Sequence, residues 1–148
     1  MGRLAATALA LIYTLTCATF ARSQSFDLQE RCAAQARKAF KEFESESGAS
    51  RSTLLGESAV GDDYQSHYNA KLRRCLVLIT ESGSYTQPKF ATYFALYLVD
   101  AYERRHYAVY SQTDAKVMFC ELTPSVAQKR TCTTQDEFDA FIAPYMEE

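Results

Sequence analysis

The chain lacks the short motifs that carry the best-known catalytic and nucleotide-binding chemistries. It has no G-x-S-x-G nucleophile turn, no P-loop, no G-x-G-x-x-G dinucleotide loop and no H-E-x-x-H metal motif. Only two of its 148 residues are histidine, and no two cysteines have the C-x₂-C spacing of zinc sites. The sequence therefore predicts neither a metal centre nor a cofactor.

The chain also has little net charge and no strongly biased segment. Its 16 basic and 18 acidic side chains give a net charge of −2. Because nucleic-acid binding depends largely on an excess of basic groups that neutralise phosphates, that class of partner is not predicted. Aromatic residues make up 13% of the chain, and no low-complexity tract or internal repeat is present, so a folded domain is expected.

The longest uncharged stretch lies near the start of the chain and is typical of an export signal. Arg3 precedes the 17-residue apolar run LAATALALIYTLTCATF, and the small residues Ala21 and Ser23 follow it. We predict cleavage after Ser23, which makes residues 1–23 a signal peptide and residues 24–148 a single domain. An uncleaved membrane anchor is a second interpretation of the run, and lipidation of Cys17 is a third.

Cleavage at this position predicts a periplasmic or secreted protein without membrane contact. Arg3 and Arg22 would leave with the signal, so 14 basic and 18 acidic side chains remain and the net charge becomes −4. Four cysteines also remain: Cys32, Cys75, Cys120 and Cys132. An even number in an exported domain predicts two disulfides, with three possible connectivities. We favour Cys120–Cys132, which closes a short loop, and Cys32–Cys75, which would join a helix to a strand.

Two segments show helical periodicity. The first, SFDLQERCAAQARKAFKEFESESG, places apolar side chains three and four residues apart, at Leu28, Cys32, Ala36, Phe40 and Phe43. The second begins with a capping box of Thr134 and Glu137. Its predicted buried stripe consists of Phe138, Phe141, Ile142 and Tyr145. Pro144 should kink or end this helix because its ring clashes with the carbonyl of Ala140.

The middle of the chain shows strand patterns. Residues 49–63 are small and polar and predict a loop, after which one strand should run from Tyr64 to Thr80. A bulge near Arg73 and Arg74 would account for a change in phase of its alternation.

The next segment has two interpretations, because residues 90–102 fit either a helix stripe or a strand. We favour two antiparallel strands over residues 90–102 and 106–112, turning at Glu103 to Arg105, with KVMFCEL as the fourth strand.

These elements predict an α+β fold with two disulfides. An N-terminal helix precedes a four-stranded antiparallel meander and a short C-terminal helix, and both helices pack on one face of the sheet. In element order alone this is similar to a cystatin-type arrangement, which carries no activity with it.

The stretch DDYQSHYNAKLRRC concentrates polar groups, but its spacing argues against catalysis. Ser66 and His67 are adjacent, and adjacent residues of a strand point to opposite faces, so they should not form a nucleophile–base pair. Asp62 and Asp63 could meet a cation, yet no EF-hand spacing follows them. We interpret the stretch as the polar entry to a strand.

Two further candidates remain. His106 lies in a polar turn, and a small hydrolase that uses His67 or His106 is the alternative function. Tyr93 and Tyr97 would share one sheet face with Tyr107 opposite, which suggests an aromatic patch for a protein or glycan partner.

The segments CAAQARKAF, SHYNAKLRRC and DEFDAFIAPYMEE resemble small exported bacterial proteins of uncharacterised function. The resemblance implies a bacterial source and a periplasmic address, and it supplies no catalytic residues. We therefore expect a non-enzymatic binding module rather than an enzyme.

Overall fold

The computed structural model describes residues 26–46, 58–86, 89–125 and 128–147. The elements are α1 (26–46), β1 (Ser58–Asn69), β2 (Arg74–Tyr85), β3 (Ala91–Asp100), β4 (His106–Thr113), β5 (Lys116–Ser125), β6 (Gln128–Thr131) and α2 (Gln135–Met146). All six strands form one antiparallel sheet in chain order. The predicted signal peptide, residues 1–23, lies outside the described residues. No helix in the described ranges has the length and apolar character needed to cross a membrane.

The prediction of a four-stranded meander is wrong, because the sheet has six strands. The single strand predicted from Tyr64 to Thr80 is in fact the hairpin of β1 and β2, with its turn at residues 70–73. Arg73 takes a φ of 52° in that turn, so the change in phase marks a chain reversal and not a bulge. β1 also begins at Ser58, inside the predicted loop. The sixth strand, β6, is exposed along its whole length, so its sequence shows no alternation of apolar and polar residues that would predict a strand.

The strands predicted on either side of residues 103–105 are confirmed as β3 and β4. The turn between them contains no glycine, and the side chain of Asp100 organises it instead. Its Oδ1 accepts hydrogen bonds from the backbone N–H groups of Tyr102 and Glu103, both at 2.9 Å. Arg104 adopts the left-handed φ of 59° that closes the turn. A buried aspartate thus organises the turn through its side chain, and Arg104 takes the backbone conformation for which glycine is usually required.

The two helices cover opposite faces of the sheet, which corrects the expectation that both pack on one face. In β2, Cys75, Val77 and Ile79 pack against α1, whereas Leu76 and Leu78 belong to the cluster that packs against α2. A strand with apolar side chains on both faces requires cover on both. The second covered face and the two additional strands also depart from the cystatin-type order.

The two disulfides join the same cysteines as the favoured pairing. Cys32–Cys75 ties α1 to β2 and Cys120–Cys132 ties β5 to the residue after β6, each with a Cα–Cα distance of 5.2 Å. The four bridged cysteines are buried in the two hydrophobic clusters. Each bridge therefore lies within the packing that it reinforces.

Candidate functional site

The structure places Ser66 and His67 next to each other on β1 with their side chains on opposite faces. Ser66 pairs with Val77, which faces α1, and His67 pairs with Leu76, which faces α2. The Nε2 atom of His67 is buried and has no hydrogen-bond partner among the described residues. The two side chains form no nucleophile–base pair.

His106 lies on the α1 side of the sheet, away from His67. It pairs with Val99, and its ring is edge-on to Tyr97 with the ring centroids 6.3 Å apart. Desolvation lowers the pKa of His106, which favours its neutral form. The sheet separates the two imidazoles, so they do not share a cleft.

The three candidate tyrosines do not form a common surface. Tyr93 is 8% exposed and stacks on Tyr85 at 4.8 Å on the α1 side. Tyr97 is half-buried and contacts Phe43 of α1. Tyr107 is 6% exposed and belongs to the cluster on the α2 side. Tyr97 and Tyr107 thus belong to the packing beneath the two helices, whereas Tyr93 stacks on a ring of the neighbouring strand.

The aspartates of the polar stretch are also separated. Asp62 lies opposite Glu81 in the register of β1 and β2. The Oδ1 of Asp63 accepts a hydrogen bond from the N–H of Tyr64 at 2.8 Å. In the part of the chain that the structure describes, no three His, Cys, Asp or Glu side chains come close enough to hold a metal ion.

A different site lies between α2 and the ends of the strands, and we call it the α2 groove. Its volume is about 630 Å³. The groove is lined by Asn69, Lys71, Leu72, Leu122, Arg130, Glu137, Ala140, Phe141, Pro144 and Tyr145. These residues come from β1, the β1–β2 turn, β5, β6 and α2, so only the folded sheet brings them together.

Asn69 fixes the wall of the α2 groove where the β1–β2 turn meets α2. This side chain is 2% exposed. Its Nδ2 donates to the carbonyl oxygens of Pro144 and Tyr145, at 3.1 and 3.2 Å, and its Oδ1 accepts from the N–H of Leu72 at 2.9 Å. The amide thereby satisfies helix-end carbonyls that lack intrahelical donors.

The other end of α2 is fixed by its cap and by a disulfide. The hydroxyl of Thr134 accepts from the N–H of Glu137, and the Glu137 carboxylate accepts from the N–H of Thr133 at 2.7 Å. This is the predicted capping box, with the carboxylate bonded one residue earlier than the N-cap. Cys132, bridged to β5, lies two residues before the cap. Both ends of α2 are therefore attached to the sheet.

The predicted buried stripe of α2 is only partly buried. Phe138 and Ile142 are buried, whereas Phe141 and Tyr145 are half-buried and line the α2 groove. Pro144 lies within α2, which continues to Met146, so the proline does not end the helix. Because its nitrogen carries no hydrogen, it donates no hydrogen bond to the carbonyl of Ala140. The helical period identifies the apolar side of α2 correctly. It does not indicate that two of these four side chains face a groove.

Comparison of the chain with protein-family models, with curated proteins and with solved structures found no match.

Proposed function

We propose that the protein is an exported binding module and that the α2 groove is its ligand site. The observation that supports this most directly is the groove itself, which exposes apolar side chains of a helix anchored at both ends. Its volume of about 630 Å³ falls in the range of roughly 300–1,000 Å³ that is usual for small-molecule sites. The occupant we propose is a small molecule with an apolar body.

Rigidity of the walls supports a binding role. Asn69 holds the C-terminal end of α2, and the Cys120–Cys132 bridge holds the chain just before its N-cap. A preformed site loses less conformational entropy on binding than one that must first be ordered. Leu72 is 46% exposed at the mouth of the groove, where an apolar ligand would cover it.

Export to the periplasm or the cell exterior is part of the proposal. Disulfides persist in oxidising compartments, and this fold contains two of them. The apolar run before Ser23 supplies the export signal. Mass spectrometry of protein purified from its own compartment should find an N-terminus at Gln24, and thiol titration should find no free sulfhydryl. An intact Met1, or four titratable thiols, would contradict export.

The geometry does not favour the hydrolase alternative. That alternative uses His67 or His106. Ser66 faces α1 while His67 faces α2, so the neighbouring hydroxyl is not positioned as a nucleophile for His67. The ring of His106 lies edge-on to the ring of Tyr97. Neither histidine lines the α2 groove.

The groove can be tested with N-phenyl-1-naphthylamine, an uncharged probe that fluoresces in apolar surroundings. Ala140→Trp should fill the groove and abolish the fluorescence increase, because Ala140 is exposed and lines it. Ala34→Trp, at an exposed position of α1, is the matched control and should leave the increase unchanged. Equal fluorescence from both variants would show that the probe binds elsewhere and would contradict the proposal.

A further inference from the structure

The charged groups of the α2 groove are mostly cations without partners. Lys71 comes from the β1–β2 turn and Arg130 from β6, and both line the groove. Neither forms an ion pair within the described residues. In a chain of net charge −2, two uncommitted cations beside an apolar surface are a local reversal of the overall charge.

The acid in the groove lining forms no ion pair with these cations. Glu137 uses its carboxylate to accept from the N–H and the hydroxyl of Thr133, at 2.7 and 3.2 Å. Both hydrogen bonds are to Oε2, and they lower the pKa of Glu137, so the carboxylate is charged at neutral pH. The lining therefore carries two cations and one anion, an excess of one positive charge, and neither cation is held in an ion pair.

Tyr145 adds a hydrogen-bond donor next to the cations. Its hydroxyl makes no hydrogen bond to the described residues, and its ring packs on Phe141 and Tyr107 at 5.3 and 5.7 Å. Burial raises the pKa of Tyr145, and the positive charges of Arg105 and Arg130 oppose that rise. The phenol is therefore protonated at neutral pH and able to donate.

Arg105 is a second guanidinium held close to this hydroxyl. Its guanidinium carbon lies 4.8 Å from the centre of the Tyr107 ring, and its Nη2 donates to the carbonyl of Thr123 at 3.5 Å. Arg105 does not itself line the groove, so the donors that a ligand there would meet are Lys71, Arg130 and the phenol of Tyr145. This set of donors suits a carboxylate or a phosphate.

We infer that the α2 groove binds an anionic amphiphile with one alkyl chain, whose carboxylate or phosphate head lies among Lys71, Arg130 and Tyr145. The inference rests on the proposed function and adds the class of ligand. The apolar body of the ligand lies along Leu122 and Phe141. A fatty acid or a monoalkyl phosphate has this chemistry, and a neutral alkane chain lacks the head that the cations require.

The test compares decanoate with decanol as competitors for N-phenyl-1-naphthylamine on the full chain. The two competitors share an alkyl length and differ in the charged head. Decanoate should displace the probe about tenfold more tightly than decanol, since each charge-assisted hydrogen bond to the head adds to affinity. Lys71→Gln combined with Arg130→Gln should remove most of that difference and leave decanol unchanged. Tyr145→Phe should weaken decanoate binding only about threefold.

A matched double variant and a melting curve separate charge from folding. Lys89→Gln combined with Lys116→Gln makes the same change of charge at exposed positions outside the groove, and it should keep the full preference for decanoate. Thermal melting of each variant shows whether it is folded. Equal affinities for decanoate and decanol in the wild-type chain would overturn the inference but leave the groove proposal standing.

Two other outcomes are also decisive. If neither competitor displaces the probe and Ala140→Trp does not change its fluorescence, the proposed function itself is wrong. If the chain sediments with phosphatidylglycerol vesicles but shows no preference for decanoate, a membrane surface is the source of the anionic groups. The inference that the groove binds individual amphiphile molecules is then overturned.

Discussion

The side-chain amide of Asn69 lies 3.2 Å from the carbonyl oxygen of Tyr145, and this contact joins the first hairpin to the last helix across 76 residues of sequence. It sits where the α2 groove is formed, and the same amide also bonds Pro144 and Leu72. Stability of the fold and shape of the groove therefore depend on one buried side chain.

Asn69→Ala should lower the free energy of unfolding by about 2 kcal/mol, because buried carbonyls at the end of α2 lose their donor. Asn69→Asp should cost more, since a carboxylate facing two carbonyl oxygens repels them. Gln65→Ala, at an exposed position of the same strand, is the control and should stay within about 0.5 kcal/mol of wild type. Urea denaturation measures the free energy of unfolding of all three variants. An Asn69→Asp variant as stable as wild type would contradict the role assigned to the amide.

Replacing the histidines should not affect binding of N-phenyl-1-naphthylamine, because neither lines the α2 groove. His67→Phe should also leave stability within about 0.5 kcal/mol of wild type or raise it, since the change removes a buried nitrogen that has no described partner. Probe titration and thermal melting of His67→Phe, His106→Phe and the double variant check both expectations. Loss of probe binding in the double variant would place a histidine in the site.

The sequence predicted those elements whose patterns are local. In the predicted α1 stripe, Cys32, Ala36 and Phe40 are buried as their spacing indicates. Its two ends are less covered, since Phe43 is half-buried and Leu28 is exposed. The turn after Asp100 was found because strand-like residues flank a polar triplet. The first hairpin was predicted as one strand, because its turn contains no glycine. Arg73 adopts the left-handed conformation there, and its residue type does not indicate such a turn.

The candidate site was less accessible to sequence reasoning, because it exists only between elements. Phe141 and Tyr145 follow the helical period of buried residues, and nothing in the period shows that the sheet ends beside them. Lys71 and Arg130 are 59 positions apart in the sequence, and they line one groove only when the β1–β2 turn, β6 and α2 are in place. β6 adds a further difficulty, since this exposed strand is held by main-chain pairing with β5 and by the ion pair of Lys129 with Glu121.

Stability should depend on pH through Glu137. Hydrogen bonds from Thr133 hold the pKa of Glu137 below its ordinary value of 4.5. The resulting stabilisation is therefore complete above that unfolded-state value and is lost as the pH falls through the lower folded-state pKa. The difference in unfolding free energy between wild type and Glu137→Gln should be larger at pH 7 than at pH 3. Parallel pH profiles of the two proteins would contradict the assignment.

The two disulfides should contribute differently to stability and to binding. On the chain-entropy account, the bridge Cys32–Cys75, with a separation of 43 residues, contributes about 4 kcal/mol. The bridge Cys120–Cys132, with a separation of 12, contributes about 3 kcal/mol. Replacing each pair by alanine should lower the melting temperature, more so for Cys32–Cys75. Unchanged melting in excess reductant would contradict both contributions.

Binding should show the opposite order, because only Cys120–Cys132 holds the start of α2 against β5. Cys120→Ala combined with Cys132→Ala should weaken binding of N-phenyl-1-naphthylamine at a temperature where the variant is still folded. Cys32→Ala combined with Cys75→Ala changes the α1 side of the sheet and should leave the probe affinity near that of wild type. If the first variant kept full affinity, α2 would be held in place by Asn69 and core packing alone, and the disulfide would have no part in shaping the groove.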